Sequence, residues 1–547
     1  MDLLPDLGEG FVIDCLNYYE LDPEQVVNAI LEDNLPPSLS NIDRTKSSKV
    51  DNSSSVSKEK KPSRTSNEHQ NEILRSKLYV DDPSTKLKHM SPLNLFYNKV
   101  KNSSRTHNDK RSLYFTDLLH PSLGNLESSL QINFMVEYEW LMMNYEVSRN
   151  QYKPLTIIYG EENSELSANA GKPKPNIIAK RVKPRYPYGT HHTKMMVLAY
   201  DDKSVRIVVH TSNLISSDWE NRTQGIWVSP RCPALENSKT ECKSSDTIGD
   251  SNTHFKQCLL SYLNYYEVTV LRPFVEKIKA CDFSSVNAFF IGSVPGSHVI
   301  NRTDPFQNWG HAAVAKILCR HNEHTNDPEN TDDDTDIIFQ SSSIGSLGKM
   351  LEGSFVMELA ASFNATTSRS FKKLPKVVRV VYPTKENVFN AYGGPLYGGG
   401  CLPYSQRTSE KQPWLPKIMC KWESNSIHRT RAMPHIKSYT KLNGYCAESK
   451  LARQRPRASY FLLTSANLSK PAWGSLNKSE DKLFIQSYEV GVLLLPKFTH
   501  GSSNCSYSVT AEGPEKPAEL VLPYDLPLTE YDANDEPWVS EILIDLL

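Results

Sequence analysis

Two short segments of this chain place an imidazole and an ammonium group two residues apart. They are His192 with Lys194, and His435 with Lys437. On an extended strand, residues i and i+2 share a face, so each pair presents both side chains to the same side. Imidazoles serve as nucleophiles and as general acids, and ammonium groups stabilise negative charge that develops during a reaction. The two segments together predict one nucleophile, one general acid and two cations around an anionic substrate.

The same polar residues follow each pair in the same order. An apolar run ends in Thr-Ser and then Asn213 in the first case, and in Thr-Ser-Ala and then Asn467 in the second. A further apolar run contains Gln224 in the first case and Glu489 in the second. This four-part order, occurring twice, predicts an internal duplication whose polar residues meet at a shared site. The alternative is that these residues are only hydrogen-bonded polar groups at strand ends.

A third His-x-Lys segment has no such sequel. His254 and Lys256 open a stretch with apolar residues at helical spacing, and no Thr-Ser-Asn follows. We therefore predict a structural role for this segment. His191 is also predicted to be structural, because it faces the opposite way from His192 on a strand.

The predicted site favours chemistry on a phosphodiester without a metal ion or other cofactor. Lysine and asparagine supply hydrogen-bond donors and positive charge, and neither residue suits a metal site. A ring of such donors stabilises the charge that develops on phosphoryl oxygens during displacement at phosphorus.

Composition places limits on the partners. The 547 residues carry a formal net charge of −1, so any basic surface for nucleic acid must be local. Residues 171–194 are such a segment, with seven Lys or Arg, no acid, and Tyr186 and Tyr188. This combination suits single-stranded DNA through phosphate attraction and base stacking; the alternative is a solvated loop. No apolar run approaches the length of a membrane span, and the acidic N-terminus predicts an intracellular protein with reduced cysteines.

The chain divides into four predicted parts. Residues 1–45 have helical spacing, and residues 46–90 are rich in Ser, Lys and Asn, which predicts a disordered linker. Residues 91–283 and 284–547 are then two similar halves of an α/β fold. Each half is expected to be a mixed β-sheet between helices, and a pseudo-twofold axis is expected to pass through the site.

Seven ordered motifs resemble those of the tyrosyl-DNA phosphodiesterase family, a branch of the phospholipase D superfamily. They are YGTHHTKMM, HTSNLI, TQGIW, SSSIGSLG, MPHIKSY, TSANLSKPAWG and SYEVGVLLLP. The resemblance runs from about residue 91 to residue 538. Ala199 stands where the superfamily's usual H-x-K-x4-D motif has aspartate, and this family lacks that aspartate as well.

The resemblance implies a role for each residue of the site. His192 would attack phosphorus and form a phosphohistidine, and His435 would protonate the leaving tyrosine and then activate water. Glu489 would orient His192 and Gln224 would orient His435, and the neutral amide would leave His435 the stronger acid. The groups that would hold the phosphoryl oxygens are Lys194, Lys437, Asn213 and Asn467. The groups that would contact DNA are Tyr188, Ser343, Ser346 and Ser469.

The implied function is hydrolysis of the 3′-phosphotyrosyl bond between DNA and trapped topoisomerase I, and clearance of other 3′-blocked ends. The implied setting is DNA repair in the nucleus by a monomer that acts on single- and double-stranded DNA. Two alternatives stay open at this point. One is a phospholipase D-type phosphodiesterase acting on lipid or RNA, and the other is an inactive scaffold that binds ubiquitin and DNA.

The N-terminal segment resembles a different family. The pattern LLPDLGEGF, followed by LDPEQVVNAILEDNLPPSL, is similar to a CUE-type ubiquitin-binding module. The resemblance implies ubiquitin as a partner, with contacts from Leu4, Pro5, Ile30 and Leu31. The module's first helix would begin before Met1, so we expect the module to be clipped.

Overall fold

The structure is a computed structural model. It describes residues 82–166, 174–236, 247–321, 335–365, 377–443, 456–501, 506–509 and 519–546. The predicted CUE-type module and most of the predicted linker lie outside the described residues. In the described part of the chain, no helix is long and apolar enough to cross a membrane.

The first half is built on an eight-stranded sheet with the order β2-β1-β8-β7-β6-β3-β4-β5. Its strands are β1 (Leu95–Asn98), β2 (Ser112–Leu113), β3 (Leu126–Ile132), β4 (Leu155–Tyr159), β5 (Ile177–Arg181), β6 (Met195–Tyr200), β7 (Val205–His210) and β8 (Gly225–Val228). Its helices are α1 (Pro83–His89), α2 (Ser104–His107), α3 (Phe115–Leu118), α4 (Tyr138–Val147), α5 (Ser216–Glu220), α6 (Phe255–Tyr265) and α7 (Arg272–Lys279). Short 3-10 helices cover Pro121–Leu123 and Thr269–Leu271.

The second half contains the other large sheet, with the order β13-β12-β11-β14-β15-β18-β9 and β19 paired to β15. The strands of the second half are β9 (Ala288–Ser293), β10 (Gly296–Val299), β11 (Thr335–Gln340), β12 (Val377–Val381), β13 (Met419–Cys420), β14 (Ser438–Asn443), β15 (Arg457–Thr464), β16 (Ser475–Leu476), β17 (Lys482–Ile485), β18 (Glu489–Leu494) and β19 (Tyr507–Ser508). Strands β10, β17 and β16 form a separate three-stranded sheet.

The helices of the second half are mostly short. They are α8 (Gly310–His321), α9 (Phe355–Phe363), α10 (Lys385–Phe389), α11 (Gly394–Gly399), α12 (Gln406–Glu410), α13 (Lys470–Trp473), α14 (Pro496–Thr499) and α15 (Glu541–Leu546). Short 3-10 helices cover Pro305–Gln307 and Leu415–Ile418.

The two large sheets repeat one pairing pattern, which confirms the predicted fold of two similar α/β halves. In the first sheet, β3 pairs parallel with β4 and antiparallel with β6, and β6, β7 and β8 follow as antiparallel neighbours. In the second sheet, β11 takes the place of β3, and β12, β14, β15 and β18 take the places of β4, β6, β7 and β8. Each His-x-Lys pair precedes the third strand of its pattern, and Gln224 and Glu489 stand at the start of the last strand.

Alternating side chains divide the apolar residues between two cores. Met195, Val197 and Ala199 of β6 belong to a core that contains residues of both large sheets and of helix α6. Met196 and Leu198 face the opposite side of the sheet and pack in an outer core of the first half. Because the inner core is common to both sheets, the two halves are held in one fixed arrangement at the site.

The third His-x-Lys segment has the structural role predicted for it. Lys256 lies in helix α6 and is fully buried, and its Nζ donates to the carbonyl oxygens of Ile248, Lys279 and Cys281 at 2.7, 2.8 and 2.8 Å. His254 precedes the helix and stacks on Phe306. The ammonium group therefore stabilises three backbone carbonyls and takes no part in the site.

The folded part of the chain begins earlier than predicted, because residues 82–90, which the predicted linker includes, are described and ordered around helix α1. Asp82 caps helix α1 by accepting a hydrogen bond from the backbone N–H of Ser84, and Pro83 occupies the first turn. Leu87 and Met90 are buried, and the Nζ of Lys86 donates to the carbonyl oxygen of Ser112 at 2.9 Å. The folded body therefore includes Asp82–Met90, a lysine-containing segment that composition alone assigned to the linker.

Candidate active site

Backbone pairing between the two halves brings the two histidines into one site. The backbone N–H of His192 donates to the carbonyl of Tyr488 in the other half at 3.0 Å. The backbone N–H of His435 donates to the carbonyl of Thr223 at the same distance of 3.0 Å. Each contact is part of a parallel β-bridge, and Tyr488 and Thr223 directly precede Glu489 and Gln224. Such reciprocal contacts are expected from a twofold arrangement, and they place each histidine beside the orienting residue of the opposite half.

His192 is anchored by a carboxylate. Its Nδ1 lies 3.0 Å from Oε2 of Glu489, which also accepts a hydrogen bond from the hydroxyl of Ser465 at 2.5 Å. The Glu489 side chain is 5% exposed, so this contact is largely shielded from water. Because Nδ1 contacts the carboxylate, Nε2 is the ring nitrogen left to react.

His435 is anchored by Gln224, as predicted, and also by a carboxylate that sequence reasoning missed. Nδ1 of His435 lies 3.2 Å from Nε2 of Gln224 and 3.2 Å from Oδ2 of Asp218. The amide is held in place because Thr211 donates to its Oε1 at 2.7 Å and its Nε2 donates to the backbone carbonyl of Asp218 at 3.1 Å. The surroundings of His435 are therefore not neutral, in contrast to the expectation based on Gln224 alone.

The two lysines fold back on their own histidines. Nζ of Lys194 donates to the carbonyl of His192 at 3.2 Å, and Nζ of Lys437 donates to the carbonyl of His435. Both side chains are fully buried. Burial lowers the pKa of Lys194 to about 8. Burial, with repulsion from Lys194, lowers the pKa of Lys437 well below its ordinary value. Two buried ammonium groups that repel each other favour the binding of an anion.

The two asparagines are held in different ways. Oδ1 of Asn467 accepts hydrogen bonds from the hydroxyls of Ser341 and Ser342 and from the backbone N–H of Ser343, each at 3.1 Å. These contacts occupy Oδ1 and leave the Nδ2 donors directed away from them. Oδ1 of Asn213 is buried and has no partner among the described residues. The two amides are therefore held differently, since described neighbours fix the oxygen of Asn467 but not that of Asn213.

The buried positive charges also control the histidines. Burial is the largest cause that lowers the pKa of His192, and Glu489 partly offsets it. The pKa of His435 lies well below its ordinary value because of burial first, and then because of Lys437, Lys194, Arg222 and His192. Burial and the neighbouring cations therefore favour the neutral form of both imidazoles in the free site.

The predicted DNA contacts lie around this site. The loop with Ser343 is bound to the turn with Ser469 by a β-bridge and by Asn467, and Ser346 is exposed on that loop. Tyr188 is 80% exposed, four residues before His192. Gly189 follows it with its Cα close to the backbone of Gln486, where an added Cβ would lie 2.2 Å from the carbonyl oxygen. The chain next to Tyr188 is therefore fixed while its ring remains in solvent.

The basic segment is largely exposed, but two of its arginines lie close to acidic residues from other parts of the chain. Arg181 forms an ion pair with Glu162 at 3.0 Å, and Arg185 lies 3.8 Å from Glu267. Lys174, Lys180 and Lys183 are exposed, and Lys172 lies outside the described residues.

His191 is buried and its Nε2 contacts the Tyr266 hydroxyl at 2.9 Å, in agreement with its predicted structural role. No three His, Cys, Asp or Glu side chains in the described ranges form a group that could hold a metal ion.

Two similar α/β halves with reciprocal His, Lys and Asn residues at their interface form a site suited to displacement at a phosphodiester. The chain belongs to the tyrosyl-DNA phosphodiesterase family, since the sequence model of that family matches residues 94–532. Members of this family are hydrolases that act on phosphodiester bonds.

Individual relatives agree with this assignment. Tyrosyl-DNA phosphodiesterase 1 of Drosophila melanogaster is 41% identical over 466 residues, which cover 84% of this chain and 75% of the relative. Tyrosyl-DNA phosphodiesterase 1 of Arabidopsis thaliana is 32% identical over 463 residues, covering 76% and 69%. A crystal structure of the yeast tyrosyl-DNA phosphodiesterase has the same fold, with a TM-score of 0.59, 18% identity, and coverage of 81% of this chain and 99% of that one.

A separate, short similarity involves a different protein. Activating signal cointegrator 1 complex subunit 2 of Homo sapiens is 67% identical over 43 residues, which make up 8% of this chain and 6% of that protein.

The electrostatics of the site predict how its pH dependence changes when substrate binds. Neighbouring cations help to hold both histidine pKa values low, so a bound phosphodiester anion offsets them and raises both values. The pH profile of kcat, which reports the complex, should therefore lie at higher pH than that of kcat/KM, which reports the free enzyme. Both profiles are measured under single-turnover conditions with an aryl phosphodiester of DNA as substrate. Rates at saturating enzyme give the profile of the complex, and rates at limiting enzyme give the profile of the free enzyme. Coincident profiles, or a shift to lower pH, would contradict this electrostatic account.

Proposed function

We propose that this protein hydrolyses the 3′-phosphotyrosyl bond between DNA and a trapped topoisomerase I peptide, together with related 3′-blocked ends. The observation that carries the proposal is the pair of histidines, His435 buried and His192 partly buried, each contacted at Nδ1 by residues of the opposite half and flanked by a buried lysine. The names of the relatives support this substrate class. The alternatives of a lipid or RNA phosphodiesterase and of an inactive scaffold have no comparable support.

In the first step, Nε2 of His192 attacks phosphorus and the bond from phosphorus to the tyrosine oxygen breaks. The proton that the departing phenolate needs comes from Nε2 of His435. The contact with Glu489 at 3.0 Å favours this role of His192, because a carboxylate stabilises the positive charge that develops on the attacking ring. The product of the step is a phosphohistidine linked to the DNA 3′ end.

In the second step, His435 acts in the opposite direction. It removes a proton from a water molecule, the water oxygen attacks phosphorus, and the bond to His192 breaks. The DNA leaves with a 3′-phosphate. Lys194 and Lys437 hold the phosphoryl oxygens with the donors of Asn213 and Asn467, and these charges stabilise the transition state of both steps.

The DNA strand lies across the exposed residues near the site. Tyr188 stacks on a base, and Ser343, Ser346 and Ser469 bind backbone phosphates. The exposed lysines between residues 174 and 194 add phosphate attraction, which makes binding sensitive to salt. The chain acts as a monomer in the nucleus, on single- and double-stranded DNA, without a metal ion or other cofactor.

The N-terminal segment gives the protein a second partner. The resemblance of residues 1–45 to a CUE-type module supports ubiquitin binding by this segment. Leu4, Pro5, Ile30 and Leu31 form the apolar contact in this proposal. A ubiquitin-coated bead assay with the full chain tests it, with Ile30→Ala and Leu31→Ala together expected to abolish retention.

The division of labour between the histidines is testable with an end-labelled oligonucleotide that carries a 3′-phosphotyrosine, in EDTA. The native chain should convert it to the 3′-phosphate. His192→Ala should abolish cleavage and adduct, because no atom remains to accept the phosphoryl group. His435→Asn should accumulate a protein–DNA adduct on a denaturing gel, because tyrosine leaves slowly while the phosphohistidine lacks a base to activate water.

Each other outcome of this assay has a defined meaning. If no 3′-phosphate forms, or if only added metal restores activity, the proposed function is wrong. If His192→Ala traps DNA and His435→Asn does not, the two roles are reversed. His254→Ala serves as the matched control, since that histidine lies in the structural His-x-Lys segment.

Base stacking by Tyr188 is tested by substitution with alanine. Loss of about 1–3 kcal/mol of stacking predicts a KM for a single-stranded substrate that is about tenfold higher or more, with kcat nearly unchanged. Tyr152→Ala is the control, because Tyr152 is a tyrosine of similar exposure, 77%. It precedes the start of β4, whereas the site lies beyond the opposite end of that strand. Equal effects of the two substitutions would remove Tyr188 from the DNA contact.

A further inference from the structure

Asp218 is a fully buried carboxylate at the site, contributed by helix α5. Its Oδ2 accepts the backbone N–H of Asn213 at 2.6 Å and lies 3.2 Å from Nδ1 of His435. Its Oδ1 forms an ion pair with the guanidinium of Arg222, four residues further along the chain. One carboxylate is thus shared between a cation, a backbone amide and the proposed general acid.

The two neighbours of His435 suit its two protonation states. Unprotonated Nδ1 is an acceptor, and Nε2 of Gln224 is a donor at 3.2 Å from it. When the ring is an imidazolium, Nδ1 carries a proton and needs an acceptor instead. Oε1 of Gln224 at 3.3 Å and Oδ2 of Asp218 at 3.2 Å each already accept one hydrogen bond, but only Oδ2 carries negative charge, so it stabilises the imidazolium more strongly.

We propose that Asp218 is a positioning residue for the acid step, stabilising the protonated ring of His435, while Gln224 stabilises the neutral ring in the water-activating step. This inference rests on the proposed function and deepens it. It explains how one imidazole is prepared first to give a proton and then to take one, without movement of either neighbour.

Arg222 determines how strongly the Asp218 carboxylate stabilises the protonated ring of His435. Among the described residues, the Glu489 carboxylate beside His192 accepts a hydrogen bond from the neutral Ser465 hydroxyl and forms no ion pair with Lys or Arg. The carboxylate beside His435 is partly neutralised by the guanidinium that pairs with it. His435 also faces Lys437, Lys194 and His192, which oppose its protonation. The attenuated carboxylate therefore supports a proton on His435 but leaves that proton easy to release, as a general acid requires.

Substrates with different leaving groups distinguish a role of Asp218 in the acid step from a purely structural role. Tyrosine leaves as a basic phenolate and needs a proton, whereas nitrophenolate leaves readily without one. We expect Asp218→Asn, which retains an oxygen to accept the Asn213 N–H, to slow first-step release of tyrosine by about 100-fold. Release of nitrophenolate from a 3′-(4-nitrophenylphosphoryl) oligonucleotide, measured as the burst before turnover, should change by less than about threefold, because it does not need the acid.

A second pair of variants tests the charge. Arg222→Gln removes the opposing cation, so the pH profile of tyrosine release should move to higher pH, and the profile of Asp218→Asn should move to lower pH. If Asp218→Asn yields no folded protein, Asp218→Glu, which keeps the carboxylate but displaces it, replaces it in the leaving-group comparison and should slow tyrosine release more than nitrophenolate release. The matched control is Glu220→Gln, an acid of the same helix that pairs instead with Lys101 at 3.3 Å and should change neither rate.

The outcomes are distinct from failure of the proposed function. A native protein that releases neither leaving group overturns the function itself and this inference with it. In the other case, the native protein releases both tyrosine and nitrophenolate. If Asp218→Asn then slows both releases equally, or slows neither, only the role of Asp218 is overturned. An unshifted pH profile in Arg222→Gln has the same consequence.

Discussion

Burial of two ammonium groups beside two imidazoles is the constraint on which the rest of this structure depends. Lys194 and Lys437 repel each other, and burial already disfavours the charge of both. Such a cluster persists only when the backbone holds it rigidly and when nearby carboxylates offset part of the charge. The inner core shared by the two sheets supplies the first condition, and Glu489 and Asp218 supply the second.

The pseudo-twofold arrangement supplies similar groups, but the two histidines have different surroundings. His192 contacts a carboxylate that forms no ion pair with Lys or Arg among the described residues, whereas His435 contacts an amide and a carboxylate paired with Arg222. A duplicated fold thus carries two unlike microenvironments, and this difference is what the proposed acid and nucleophile require. The difference comes from a few side chains at the start of the last strand of each pattern and around helix α5, while the repeated strands hold both rings in equivalent positions.

Much of the fold and site could be predicted from the sequence, because both depend on a local order that occurs twice. The strand, the Thr-Ser end and the following Asn define each half, and the structure places Glu489 and Gln224 against the expected histidines. Asp218 was missed because an acid in a short polar segment resembles a surface residue, and only the contact with His435, far along the chain, reveals its burial. Helix α1 was missed for a similar reason, since Lys86 is buried through a carbonyl contributed by Ser112.

The central claim is that the two halves divide the reaction, with a nucleophile from the first half and an acid from the second. The most direct measurement is mass spectrometry of the native protein quenched during turnover of a 3′-phosphotyrosyl oligonucleotide, with digestion under alkaline conditions that preserve phosphohistidine. The account predicts a nucleotide-linked phosphoryl group on the peptide that contains His192. A phosphoryl group on His435, or turnover with no covalent adduct on either histidine, would contradict it.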